Sequence, residues 1–236
     1  MRKRTGNFII TGIWILLFIV FTVLVQVLDV HSIGPQSSSV GFATVNSMVH
    51  ELVGDHDLWY SITSWLGFVP LATALVFAVV GLLQMIQRRS LFKVDTSIIV
   101  LGIFYVITIA VYVIFELYIV NYRPILIDGY LEASYPSSHT MLACCFMAAA
   151  MLECGILVKD RMVNMVVRVV SLIIMVVLVV GRLLSGAHWF TDIIGGLLVS
   201  GALIMGLYSV LSMLPESSDH SRRSKDKKRS GKSRRY

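Results

Sequence analysis

The stretch YPSSHTMLACCFMAAA, Tyr135 to Ala150, runs from a proline, two serines and a histidine straight into an uncharged apolar run. Such polar residues are poor material for anchoring a helix in lipid, so they need a task of their own. The run itself is one of several. Of 236 residues, 56% are hydrophobic and 14% charged, and the apolar ones gather into blocks instead of recurring at the spacing of an amphipathic soluble helix. Blocks long enough for a ~30 Å hydrocarbon core, which takes about 20 helical residues, begin near Phe8, Trp59, Thr96, His139, Asn164 and His188. The sequence predicts an integral membrane protein with six spans.

Arg2, Lys3 and Arg4 precede the first block, as in a secretory signal. Phe8 to Val27 is longer than a signal's apolar core of roughly 7–15 residues, and no small-x-small cleavage site follows, so it reads as a retained anchor. Arg88, Arg89 and Lys93 fall between spans two and three, and Lys159, Arg161 and Arg168 around the start of span five. Asp29, Glu51, Asp55, Asp57, Asp128 and Glu132 fall on the alternate side. Positive-inside asymmetry then puts both termini in the cytoplasm and the first, third and fifth loops outside.

The net charge of +6 comes largely from the tail SRRSKDKKRSGKSRRY. It reads as a solvated, disordered cytoplasmic extension, or as a segment drawn to anionic lipid at ~1 kcal/mol per basic residue. Nucleic acid is discounted, because the tail has no aromatic or folded readout element beyond Tyr236. Cys144, Cys145 and Cys154 share one span and read as packed thiols, not as disulfides or metal ligands. Apart from the outer loop, His31 to Leu58, no linker or repeat appears. The expected organisation is one membrane domain over residues 1–214 and a basic tail over 215–236.

Polar residues at span ends carry the chemistry. A charge at a span's centre costs roughly 2.5–3.5 kcal/mol on insertion scales, so its presence needs a reason. Arg123 closes the third span, His139 opens the fourth, Arg182 nears the end of the fifth and His188 opens the sixth, all at one membrane face. Arginine forks suit phosphate oxygens. Ser137, Ser138 and His139 lie where a helix start presents free N–H groups and a positive dipole end to an anion. Pro136 helps set the turn, and Ser137 or Ser138 can cap the helix. Alone, PSSH would be an ordinary Pro-Ser cap with an interfacial histidine. In GRLLSGAHWFTDIIGG, His188 and Asp192 are spaced i, i+4 on an expected helix. The carboxylate could accept from one ring nitrogen and leave the other as nucleophile or base. A satisfied buried pair is the plainer reading, and a zinc site the weaker rival, since only two imidazoles converge. Gly195, Gly196 and Gly201 are read as close-packing positions.

Together, Arg123-Pro124, Pro136 to His139, and Arg182-x5-His188-x3-Asp192 resemble the three signature motifs of the type 2 phosphatidic acid phosphatase (PAP2) family, which shares its site with vanadium haloperoxidases. The resemblance implies an all-α membrane protein, a PAP2-type bundle of six transmembrane helices. It also implies a lipid phosphatase acting at the extracytoplasmic face on a phosphomonoester or pyrophosphate, such as phosphatidate, phosphatidylglycerophosphate or polyprenyl pyrophosphate. His188 would be the nucleophile and Asp192 its orienter. Arg123, Arg182, Ser137 and Ser138 would hold the phosphate oxygens, and His139 would protonate the leaving alkoxide. The expected partners are a lipid phosphate and membrane lipids; no cofactor or metal is expected. Three positions depart from the pattern: Ser138 replaces a glycine, Gly181 a serine, and Glu116 the lysine seven residues before Arg123. On a continuous helix Glu116 would lie on the same face as Arg123 and about 10 Å deeper, positioned behind the phosphate ligands to hold one arginine fork. Two alternatives share this site: a lipid phosphotransferase, and a non-catalytic relative that binds or transports lipid phosphate.

Overall fold

The computed structural model describes residues 2–214, which form eight α-helices and no strand. They are α1 (Arg2–Val27), α2 (Ala43–Val53), α3 (Asp57–Leu66), α4 (Phe68–Arg88), α5 (Thr96–Leu117), α6 (Ser138–Leu157), α7 (Arg161–Leu184) and α8 (Phe190–Leu211). Six segments are long and apolar enough to cross a membrane: Thr5–Val27, Asp57–Arg88, Thr96–Leu117, Ser138–Leu157, Arg161–Leu184 and Phe190–Leu211. Each begins within a few residues of the position expected from hydropathy. The expected tail, 215–236, lies outside the described residues.

The second span is two helices in line, α3 and α4, interrupted at Gly67. Pro70 supplies the reason: it has no N–H to return to the carbonyl of Leu66, so the ladder breaks one turn before it. A side chain at Gly67 would sit 3.1 Å from Cδ2 of His139, so the glycine also admits that ring.

Helix α6 is the axis of the bundle, with 61% of its span buried against 6% for the first span. Its small residues, Ala143, Cys144, Cys145 and Ala148 to Ala150, are all buried and let neighbouring helices approach. All three cysteines are free thiols, as expected. Around α6 the core joins Phe77, Leu101, Phe104, Met141, Phe146, Val199 and Leu207. Helices α1 and α7 turn rows of exposed apolar side chains outward, including Leu16, Ile19, Val23, Val166, Ile173 and Val176, as a lipid-facing surface does. The glycines of α8 act in packing. A side chain at Gly201 would lie 2.6 Å from the Trp14 ring, one at Gly196 3.0 Å from the Ser137 carbonyl, and one at Gly195 would overlap the Tyr135 ring.

The loops 28–42, 118–137 and 185–189 are tied together at one end of the bundle. Gly41 N–H donates to Asn121 Oδ1 (3.4 Å), Trp189 Nε1 to the Tyr122 carbonyl (2.8 Å), and Asn46 Nδ2, on α2, to Thr191 Oγ1 (2.9 Å). At the other end Asn7 meets Ser212 (3.5 Å), and Arg88 pairs with Asp95 (2.7 Å). The motif residues thus converge on one face, as the alternation of spans requires.

Candidate active site

Three short elements build the site. The loop 118–137 folds back on itself, with Tyr122 bridged to Ala133 and Arg123 N–H donating to the Glu132 carbonyl at 3.1 Å. At its end Ser137 caps α6, accepting from Thr140 N–H at 3.4 Å. Its backbone N–H donates to the Asp192 carbonyl (3.0 Å), which docks the start of α6 on α8. Because the Ser137 hydroxyl accepts in the cap, its own hydrogen is left to donate. The turn 185–189 brings His188 to the head of α8, where Asp192, in the first turn, accepts from Trp189 N–H at 2.9 Å, one half of a capping box.

Arg182, on the last turn of α7, is 1% exposed. Its guanidinium stands over the Tyr60 ring, 5.2 Å from the centroid, and its Nη2 donates to Ser64 Oγ (3.3 Å) and to His139 Nε2. A guanidinium only donates, so His139 Nε2 accepts and the ring proton resides on Nδ1. The same logic fixes His188. Its Nδ1 lies 3.1 Å from the Ser134 carbonyl, which only accepts, so Nδ1 carries the proton and Nε2 presents a lone pair. Burial, reinforced by the positive fields of Arg123 and Arg182 and then by His139, holds His188 well below the ordinary imidazole range, against the opposing Ser134 backbone bond. It is therefore the neutral, nucleophilic form at neutral pH.

Four buried polar atoms of this group have no hydrogen-bond partner among the described residues: Arg182 Nε and Nη1, His139 Nδ1 and His188 Nε2. Leaving buried donors unpaired costs about 1–3 kcal/mol each, more when charged. Three donors and one lone pair, gathered among two arginines, form the constellation that an anion with an electrophilic centre would satisfy. No group of three or more His, Cys, Asp or Glu among the described residues could hold a metal ion.

Several expectations need correcting. Helix α5 ends at Leu117, so Arg123 does not close the third span but lies six residues beyond it in the loop. The seven-residue helical register from Glu116 to Arg123 therefore does not exist. Glu116 is exposed and lies beside the Tyr112 hydroxyl one turn back. It holds neither arginine fork. The carboxylate at Arg123 belongs to Glu132, whose Oε2 lies 3.1 Å from Nε. His188 and Asp192 do not share a helical face either, because α8 begins at Phe190. Their closest approach, Nδ1 to Oδ2, is 4.0 Å, too long for a hydrogen bond. Ser134 stands between them, with its Oγ 3.1 Å from His188 Nδ1 and 2.5 Å from Asp192 Oδ2.

Ser134, Glu132, Asn121, Tyr60 and Ser64 join the site without being among the residues expected there. Ser134 and Glu132 sit just upstream of the YPSSHT stretch, within the same loop, and their polarity beside a motif was the available signal. Nothing local marks Tyr60 or Ser64, which reach Arg182 from another span. Gly181 in place of serine has a packing reason: a side chain there would press on Thr63 at 2.5 Å and Trp59 at 3.0 Å.

A helical bundle with six candidate spans thus carries two arginines and two histidines at one end. The PAP2 superfamily profile matches residues 118–215, the segment holding Arg123, the PSSH turn, Arg182, His188 and Asp192. Among solved structures the fold is similar to that of the first transmembrane PAP2 type phosphatidylglycerolphosphate phosphatase from Bacillus subtilis. That similarity has a TM-score of 0.56 at 14% identity and covers 92% of this chain and 100% of the other. No curated protein sequence matches. The resemblance read from the three motifs is borne out, and the chain is a multi-pass membrane protein with a PAP2 phosphatase-type fold.

Proposed function

We propose that this protein hydrolyses a lipid phosphomonoester or pyrophosphate through a phosphohistidine at His188, on the extracytoplasmic face. The observation that carries the reading is the set of buried, unpartnered atoms: Arg182 Nε and Nη1, His139 Nδ1 and the lone pair of His188 Nε2. Arg182, Arg123, the Ser137 hydroxyl and the first N–H groups of α6, at Ser138 and His139, take the phosphate oxygens. His188 Nε2 then attacks phosphorus as the bond to the leaving oxygen breaks. The arriving phosphate draws Arg182 Nη2 off His139 Nε2, which takes up a proton and makes the ring the acid. That proton passes to the leaving alkoxide, so the lipid departs as the alcohol. Water, giving a proton back to His139, attacks the phosphoryl group; the N–P bond breaks and phosphate is released.

A lipid substrate is supported by a cavity of about 180 Å³ beside His139 and Ser138, whose wall continues over Phe68, Pro70, Leu71, Leu142 and Ala143. Its polar end is at the site and its remaining lining is mostly apolar, as an alkyl-bearing leaving group requires. Purified protein offered a panel of phosphatidate, phosphatidylglycerophosphate and polyprenyl pyrophosphate should release inorganic phosphate from at least one. A new phospholipid formed in place of free phosphate would identify a transferase. Tight binding with neither product would identify a non-catalytic relative.

The orientation rests on Arg88, Arg89, Lys93, Lys159 and Arg161 lying at the end opposite the site. Asp128, in the site-side loop, should become reactive toward an impermeant thiol reagent in intact cells once replaced (Asp128→Cys). Labelling seen only after permeabilisation would reverse the topology.

A further inference from the structure

We propose that Ser134 is the positioning residue that couples Asp192 to His188, an arrangement in which the carboxylate acts on the nucleophile only through the serine. The inference rests on the phosphohistidine reading above. Ser134 is 3% exposed, and its own N–H donates to the Asn121 carbonyl at 2.9 Å. The Asn121 side chain donates to Asp192 Oδ1 at 3.3 Å, so one residue holds both the serine and the carboxylate. Asp192 Oδ2 already accepts from Trp189 N–H and from Ser134 Oγ, and stands 4.0 Å from the imidazole. It has no direct bond to give the ring.

The donors and acceptors close in one direction only. His188 Nδ1–H donates to the Ser134 carbonyl and hydroxyl oxygens, both at 3.1 Å, and the hydroxyl hydrogen goes to Asp192. When Nε2 bonds to phosphorus the imidazole becomes cationic. The aligned Nδ1–H···Oγ–H···carboxylate chain then meets that charge with an oriented dipole and a full negative charge behind it. No proton leaves Nδ1, and Asp192 stays ionised. The effect is confined to the state in which the ring is charged, so it belongs to kcat and not to substrate affinity.

The test is a double-mutant cycle on the purified full chain, using wild type, Ser134→Ala, Ser134→Thr, Asp192→Asn and the Ser134→Ala/Asp192→Asn pair. Two readouts are taken: phosphate release from the best lipid phosphate of the panel, and equilibrium binding of orthovanadate, which needs no turnover. Ser134→Ala keeps the backbone carbonyl and removes only the hydroxyl. It should lower kcat about tenfold or more with KM within about twofold, and weaken orthovanadate by a similar factor. Ser134→Thr should restore most of both. In the Asp192→Asn background the same Ser134→Ala change should lose most of its effect, because the chain is already broken. Equal factors in both backgrounds, or a Ser134→Ala protein indistinguishable from wild type, would overturn the coupling. If Ser134→Ala lowers Tm too far to assay, Ser134→Cys, a poorer hydrogen-bond donor of similar shape, takes its place with the same expectations. A wild-type protein that binds orthovanadate but releases no phosphate would sink the hydrolytic reading alone, leaving the vanadate cycle to decide the coupling. Failure of both readouts in wild type would overturn both.

Discussion

Replacing His188 with alanine should abolish phosphate release, by about 10⁴-fold or more, roughly 5.5 kcal/mol of transition-state stabilisation. The expectation follows from one atom. His188 Nε2 is buried and unpartnered, while Nδ1 is held by Ser134, so the ring can neither turn nor exchange its tautomer without breaking that bond. His139 does not substitute for it, because its Nε2 is occupied by Arg182. With the depressed basicity of His188, whose first cause is burial, the nucleophile stays unprotonated below the ordinary imidazole value near 6.5. The measurement is turnover in detergent or vesicles, with acid-labile phosphoryl label trapped on wild type and missing from the variant. Tm is followed as a check, because alanine leaves a small void at a site 2% exposed. Turnover within tenfold of wild type, or label surviving on another residue, would remove His188 from the reaction.

Arg182→Lys should lower kcat/KM by about 10²–10³-fold, the loss seen when a donor aimed at developing oxyanion charge is removed, roughly 2.7–4 kcal/mol. Charge is conserved in this change, so the effect isolates geometry. The guanidinium makes its structural contacts, to Ser64 and to His139, through Nη2 and leaves Nε and Nη1 for an anion. Those two nitrogens donate from separate edges of one rigid plane, at directions fixed by the Nη2 contacts; an ammonium offers a point charge and cannot reproduce them. The Tyr60 ring, 5.2 Å from the guanidinium carbon, stacks on that plane and fixes its tilt. Lysine should therefore raise KM and lower kcat together, with little loss of Tm. Activity within threefold of wild type would show that Arg182 supports the bundle and does not touch the phosphate.

The spans were legible because hydropathy is a property of contiguous residues: a helix that must satisfy its own backbone in lipid needs an unbroken apolar run, and a run is visible in one dimension. The convergence of Arg123, His139, Arg182 and His188 on one face was legible too, since alternating spans leave no other arrangement. Even the break in the second span is local, set by Pro70. What failed were the statements about which side chain touches which. Helical counting places Glu116 at an arginine, but the helix ends at Leu117 and Arg123 meets Glu132 across a folded loop instead. The same i, i+4 count pairs Asp192 with His188, but the helix begins after His188 and turns the carboxylate back onto its own N-terminus. Helical periodicity predicts neighbours only while the helix lasts, and active-site residues gather where helices start and stop. There the contacts belong to loops closed by distant partners: Ser134 against Asp192, Asn121 against Gly41, Tyr60 against Arg182. The sequence by itself determined the membrane class, the six spans and the chemical inventory at one end. The tautomers, the free lone pair and the serine between His188 and Asp192 were decided by the tertiary structure, because each depends on a hydrogen-bond partner brought in from another element.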